Sequence, residues 1–317
     1  MTLAPDAVRV VALIATLLVI LAAVTLWRAA HNEAEAEHRF PPIGQFIDVD
    51  GTRLHYLDQG TGPALVLLHG ASGNLRDMSF SLIDQLSNRY RVIAFDRPGL
   101  GYSDTIEDMS ITGQARILSQ AAARLGMDRP LVVGQSYGGA VAMAWALNHP
   151  AAGLVTIGSP SLPWQSPLPT LYKINSHSVL GPLATPLLCA WVPESYVKSV
   201  ISEIFEPQSA PAGYAEYIGA SLTLRRSALR ANARQRATLL DEISALAPRW
   251  DELDLPFEMG PGGADTTVGV SIHSEPLSRR LPNAHLTTLH GIGHMPHHVA
   301  QDVVIDAIDR AAERANL

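Results

Sequence analysis

The sequence predicts an α/β protein, with a mostly parallel sheet covered by helices on both faces. It also predicts an apolar N-terminal segment and a helical insertion within the α/β body. Three observations carry this. Short continuous apolar runs alternate with helical windows at the spacing of strand–helix–strand units. Val10 to Trp27 contains no charged residue. From about Ser161 to Trp250 the alternation stops, and no convincing strand pattern occurs over roughly 90 residues.

Taken in order, the apolar run VVALIATLLVILAAVTLW would reach about 27 Å as a helix, close to the ~30 Å of a hydrocarbon core. Arg9 on one side and Trp27-Arg28 on the other bracket it as interface anchors do. A cleaved signal peptide is the rival reading, with Ala34-Glu35-Ala36 resembling a cleavage site. The run exceeds the usual apolar length of a signal peptide, so an uncleaved single-pass anchor is the expectation. The short tail before it places the bulk of the chain outside the cytoplasm. Residues 28–42 then read as a polar stalk ending at Pro41-Pro42.

Gln45–Val49 and Arg53–Leu57 flank Asp50-Gly51, a hairpin signal. Ala64–Leu68, Arg91–Phe95, Leu131–Val133 and Leu154–Ile157 read as buried strands. Helical windows cover Leu75–Leu86, Ile111–Leu125 and Tyr137–Asn148. Within the insertion, helical windows fall at Tyr196–Phe205 and Tyr214–Leu240. A short strand is expected after Pro256, then a strand at Ala284–Leu289 and a final amphipathic helix, Val299–Ala315.

Of the 317 residues, 47% are hydrophobic and 17% charged, which supports a sizeable core and excludes disorder as the main state. Lys+Arg is 23 against Asp+Glu 30, with no basic run, so the electrostatic footprint of a nucleic-acid binder is missing. A single cysteine, Cys189, cannot form an internal disulfide, a cysteine-based zinc site or an iron–sulfur cluster. Only Lys173 and Lys198 are lysine, a bias typical of GC-rich bacterial genomes.

The strongest chemical signal is Gly134-Gln-Ser136-Tyr-Gly138, a G-x-S-x-G directly after an apolar strand and before a helix. A tight turn there needs small residues two positions either side of the serine. It also presents the hydroxyl at a helix N-terminus, where free N–H groups suit a developing oxyanion. A serine needs a base. His294, in Gly291-Ile-Gly-His-Met-Pro after the last strand, is the candidate. His297 and His298 are rivals expected to face solvent or cap the final helix. The imidazole needs an acidic partner. Asp265 fits the order nucleophile, acid, base, whereas Asp241, Asp251, Asp254 and Glu258 are poorer candidates. Gly260-Pro261 interrupts the strand before Asp265 and makes it the least secure member. His69-Gly70-Ala71 follows a strand and can aim a backbone N–H at Ser136, with His69 itself a structural hydrogen-bonder.

With these residues placed, residues 43–317 resemble the α/β-hydrolase family, including Asp96-Arg-Pro-Gly-Leu-Gly-Tyr-Ser103, similar to its loop after the fourth strand. The resemblance implies an eight-stranded sheet with a helical cap and an oxyanion hole from the N–H groups of Ala71 and Tyr137. It implies no cofactor and no metal. A serine nucleophile argues against the dehalogenase and epoxide hydrolase branches, which use aspartate. The implied division is an anchor and stalk over 1–42, a core over 43–160 and 250–317, and a cap over 161–249. The expected activity is a membrane-anchored serine hydrolase acting on carboxylic esters with an apolar acyl group. The same triad also serves C–C, lactone or amide hydrolysis or perhydrolysis, and a non-catalytic binding protein is the second class. Leu187, Leu188, Trp191 and Val192 line an acyl pocket or belong to the cap core.

Overall fold

The computed structural model describes residues 5–317, so the first four residues of the expected anchor lie outside the described residues. One eight-stranded sheet organises the chain in the order β1-β2-β4-β3-β5-β6-β7-β8. The strands are β1 Gln45–Val49, β2 Thr52–Gln59, β3 Ala64–Leu68, β4 Arg91–Phe95, β5 Leu131–Gln135, β6 Gly153–Ile157, β7 Phe257–Met259 and β8 Ala284–Leu286. Only β2 runs antiparallel to its neighbours, β1 and β4; the remaining pairs are parallel. The β1–β2 hairpin closes at Asp50 and Gly51, both at positive φ as a two-residue primed turn requires.

The apolar strand runs are buried on both faces, and their alternation sorts them between two cores. Val66, Leu68, Ile93, Phe95 and Val132 pack beneath helices Ile111–Arg124 and Tyr137–Asn148. Leu65, Leu67, Val92, Ala94, Leu131 and Val133 pack on the other side against helices Leu82–Leu86 and Gln301–Arg314. Side chains that point alternately up and down along a strand give each face its own set. The Leu75–Leu86 window splits into helices Arg76–Ser79 and Leu82–Leu86.

Between β6 and β7 lie helices Thr170–Ser176, Leu180–Trp191, Glu194–Ile204, Tyr214–Tyr217 and Arg226–Leu246, with a 3-10 turn at Ala220–Leu224. The first two were not legible in the sequence: Pro163, Pro167 and Pro169 crowd the approach to the first, and Pro182 and Pro186 mask the helical pattern of the second, with Pro186 inside that helix.

The N-terminal segment is a single helix, Pro5–Arg39. Its most apolar window has a mean hydropathy of 2.8 and is almost wholly exposed. Residues 28–39 are therefore not a separate stalk. They continue the helix and dock on the helices between β6 and β7. Thr25, Ala29 and Ala36 are buried there. Asn32 donates to the Cys189 carbonyl at 2.9 Å, and Glu33 receives the backbone and side-chain N–H groups of Arg226 at 2.6–2.9 Å. Burial pushes the Glu33 carboxyl up, but these Arg226 contacts outweigh it and hold it below its ordinary value.

Arg97, just after β4, is fully buried and forms no ion pair among the described residues. Its guanidinium donates to the carbonyls of His69 (2.8 Å) and Gly70 (2.9 Å) and to the side-chain oxygens of Gln114 and Gln235 (both 2.8 Å). It also lies 4.4 Å from the centre of the Tyr137 ring. Burial lowers its pKa to about 10, which still leaves it charged at neutral pH. Arg97→Met would orphan four buried acceptors. The expected loss is roughly 3–5 kcal/mol, read from the urea midpoint of the detergent-solubilised full chain; a loss under about 1 kcal/mol would contradict this role.

Candidate active site

Ser136 occupies the turn between β5 and helix Tyr137–Asn148 with φ 51° and ψ −120°, a strained backbone for a non-glycine residue. The surrounding glycines make the turn possible. A Cβ on Gly134 would sit 2.3 Å from the Gly138 carbonyl oxygen, and one on Gly138 would sit 2.2 Å from the Leu68 carbonyl oxygen. Small residues two places either side are thus a steric requirement. The turn is pinned at one end by the Ser136 N–H, which donates to the Ile157 carbonyl at 2.8 Å.

His294 and Asp265 meet directly, His294 Nδ1 lying 2.6 Å from Asp265 Oδ2, with both side chains buried. The other carboxylate oxygen, Oδ1, accepts the N–H groups of Thr267 (2.7 Å) and Val268 (2.9 Å). Asp265 is therefore held from both sides despite the interrupted strand. β7 stops at Met259, yet pairing resumes past Pro261 through a bridge between Gly262 and Leu289. Gly262 is needed there, because a Cβ would meet the Gly293 carbonyl oxygen at 1.9 Å. Glu258, a weaker candidate acid, is instead bonded to Arg310, Arg314 and His285.

No hydrogen bond joins Ser136 to His294 among the described residues; the adjacent Gln135 side chain reaches His294 instead. Ser136 Oγ makes none among the described residues, and the side-chain nitrogen of Gln135 lies 3.3 Å from His294 Nε2. That amide also donates to the His294 carbonyl at 3.2 Å, which fixes which end faces the ring. With Nδ1–H directed to Asp265, Nε2 carries the lone pair. The Gln135 amide is the side-chain group that faces it. Gln135 was missed in the sequence, since nothing in an isolated x of G-x-S-x-G tells which way its side chain turns.

His69 has no access to Ser136 chemistry. It is fully buried, accepts the Arg97 N–H at Nε2 (3.0 Å) and directs Nδ1 to the Gly70 carbonyl (2.9 Å). Burial and the Arg97 charge push its pKa down to about 4. The amides of Ala71 and Tyr137 donate to no acceptor among the described residues, so both N–H groups are free. Gly70, next to Ala71, comes close to the serine, since a Cβ there would lie 3.3 Å from the Ser136 Cβ.

The expectation that His297 and His298 face solvent or cap the final helix is corrected. A separate turn of helix, Pro296–Val299, precedes Gln301–Arg314 and rolls both rings inward. They close on Asp77, at 3.3 Å from His297 Nε2 and 2.8 Å from His298 Nε2, with the Tyr214 hydroxyl at 2.5 Å. Among the described residues, Asp77, His297 and His298 are the one trio with potential metal-ligating atoms within 4.8 Å of one another. Those atoms are already paired with each other, so the cluster is a buried hydrogen-bond network. Burial pushes the Asp77 carboxyl up, but the two histidines outweigh it and hold it well below its ordinary value. The readings of Leu187, Leu188, Trp191 and Val192 as acyl pocket or cap core are also corrected. Leu187 and Trp191 lie on the outer surface, beside helix Pro5–Arg39, and Leu188 and Val192 are only partly buried.

A family model described as alpha/beta hydrolase fold matches residues 63–180. Haloalkane dehalogenase 2 of Mycobacterium tuberculosis is 34% identical over 112 residues, which is 35% of this chain and 39% of that protein. The chain thus matches about two-fifths of the length of this relative. An uncharacterized protein of the same organism is 27% identical over 295 residues, covering 85% of this chain and 81% of that one. Among solved structures, an esterase from Thermogutta terrifontis superposes with TM-score 0.68 at 19% identity, over 86% of this chain and 100% of that one. A membrane phospholipase A superposes with TM-score 0.62 at 20% identity, over 96% and 99%.

Three buried histidines set an acid limit. His69, His273 and His297 each fall to about 4, burial being the main cause. The unfolded chain takes up protons near pH 6.5 while the folded one does not. Stability is therefore full above pH 6.5 and declines as pH falls towards 4, by up to about 1.4 kcal/mol per pH unit for each histidine. Thermal unfolding at pH 7.5, 6 and 5 is expected to show this fall, and His273→Asn to remove about a third of the slope.

Proposed function

The chain is an α/β-hydrolase-fold protein, and from that premise we propose that it is a membrane-anchored serine hydrolase of carboxylic esters. Ser136 Oγ attacks the acyl carbon as its proton passes to His294 Nε2. Asp265 holds the imidazole tautomer and stabilises the cation. The Ala71 and Tyr137 N–H groups receive the oxyanion, commonly the largest contribution to such catalysis. His294 then delivers the proton to the departing alcohol, and water activated by His294 releases the acyl group from Ser136.

The observation that carries this reading is the strained Ser136 turn, linked through the adjacent Gln135 side chain to a buried His294–Asp265 pair 2.6 Å apart. A serine at this position argues against the aspartate-using dehalogenase and epoxide hydrolase branches. Support for an uncleaved anchor comes from the docking of residues 25–39. Cleavage after Ala36 would remove Glu33 and its three contacts to Arg226. The likeness to a membrane phospholipase A covers 96% of the chain and so extends into the N-terminal helix.

The test is labelling of the detergent-solubilised full chain with a fluorophosphonate, read by intact mass. One label per chain, abolished in Ser136→Ala, is expected; no labelling of folded protein would overturn the assignment. Asp265→Asn keeps an oxygen for the Thr267 and Val268 amides but offers His294 an N–H. The opposite tautomer should result, lowering kcat on a soluble ester by about 10³–10⁴-fold with little change in melting temperature.

A further inference from the structure

The large apolar side chains exposed on this protein are not scattered. Apart from the N-terminal helix, seven of the eleven on the described residues lie between residues 171 and 191, in the segment between β6 and β7. They include Leu171, Val179, Leu180, Leu183, Leu187 and Trp191, with Leu183 66% exposed and Val179 62%. Elsewhere on the described residues only Phe46, Tyr196, Ile272 and Leu317 are comparably exposed. A surface of this kind normally marks a contact.

Charge points the same way. From Ser161 to Pro193 the sole charged side chain is Lys173. The neighbouring helix Arg226–Leu246 carries four arginines in its first eleven residues and Asp241-Glu242 in its second half. An exposed helix free of carboxylates and nearly free of cations suits an apolar medium, where each buried charge costs several kcal/mol.

Position identifies that medium. Leu180, Leu183, Leu187 and Trp191 recur at helical spacing and form one stripe along helix Leu180–Trp191. The Trp191 end of the stripe is fastened to the N-terminal helix. Its indole N–H donates to Thr25 Oγ at 3.1 Å, and the Arg28 guanidinium lies 4.7 Å from its ring centre. Thr25 lies inside the uncharged run that ends at Trp27. Wherever that run meets the edge of a bilayer, Trp191 is at the same level, and tryptophan with arginine is the pairing that favours the interface.

We propose that the stripe of helix Leu180–Trp191 lies in the bilayer beside the N-terminal helix. The protein is thus held by a spanning helix and by a second, monotopic apolar face. This rests on the membrane-anchored reading above and deepens it. The segment between β6 and β7 starts beside the Asp265–His294 pair, where a Cβ on Gly158 would meet Asp265 Oδ2 at 3.1 Å and His294 Nδ1 at 3.4 Å, and on this reading it runs on to touch lipid, so acyl esters resident in the bilayer are the matching substrate class.

The full chain, in vesicles of phosphatidylethanolamine and phosphatidylglycerol, carries a spin label at one site at a time in a Cys189→Ser background. The sites are Leu183→Cys, Leu187→Cys, the anchor reference Leu17→Cys and the aqueous reference Arg279→Cys. Labels at 183 and 187 are expected to match that at 17, with a ratio of oxygen to nickel-chelate accessibility several-fold above that at 279. If 17 reads as lipid while 183 and 187 read as water, the proposal fails and the anchor stands. If 17 also reads as water, the anchored reading fails and takes the proposal with it. Labels at 183 and 187 shielded from both reagents and broadened by spin–spin coupling mean a second copy covers the face, which also overturns it.

Discussion

A single buried guanidinium ties the reactive end of this fold together. Arg97 follows β4, yet its hydrogen bonds reach the turn after β3, the helix Ile111–Arg124 and the helix Arg226–Leu246, and its face lies against Tyr137. Among the described residues no carboxylate pairs with it. The charge is instead spread over four neutral oxygens, which a planar fork can satisfy at once and an ammonium cannot. Because two of those oxygens belong to His69 and Gly70, the direction of the next amide, at Ala71, depends on Arg97. Tyr137 beside Ser136, the His69-Gly70 turn and the inserted helix Arg226–Leu246 therefore share one anchor point.

Much of the fold was legible because its strands are buried on both faces. ALVLL, RVIAF and LVVGQ admit few other readings when helical windows separate them. The Ser136 turn was legible for a steric reason, since Gly134 and Gly138 are the residues that leave room for neighbouring carbonyls. The placement of Asp265 beside His294 followed from chain order, but its firmness did not. The amides of Thr267 and Val268 that grip it belong to a loop whose geometry no periodicity encodes.

The misses share a cause. Pro182 and Pro186 hide helix Leu180–Trp191 from any propensity argument, and tertiary packing on residues 25–32 compensates. His297 and His298 turn inward only because Asp77 and Tyr214, far away in sequence, supply partners. Gln135 is similar: its amide faces His294 because the His294 carbonyl lies within reach. In each case the local pattern is silent, and a contact between distant segments decides.

The loop carrying His294 is also held from outside the core. Gln208, in the segment after helix Glu194–Ile204, accepts the Gly293 N–H at 2.9 Å and donates to the Gly291 carbonyl at 2.7 Å. The Glu206 carbonyl oxygen comes so near Gly293 that a Cβ there would lie 2.0 Å away. The backbone that carries His294 is thus registered to the inserted segment as well as to the sheet. Residues 206–208 cannot shift without pulling on the backbone at 291–293, so one glutamine side chain gripping two glycines makes the insertion and the His294 loop a single mechanical unit.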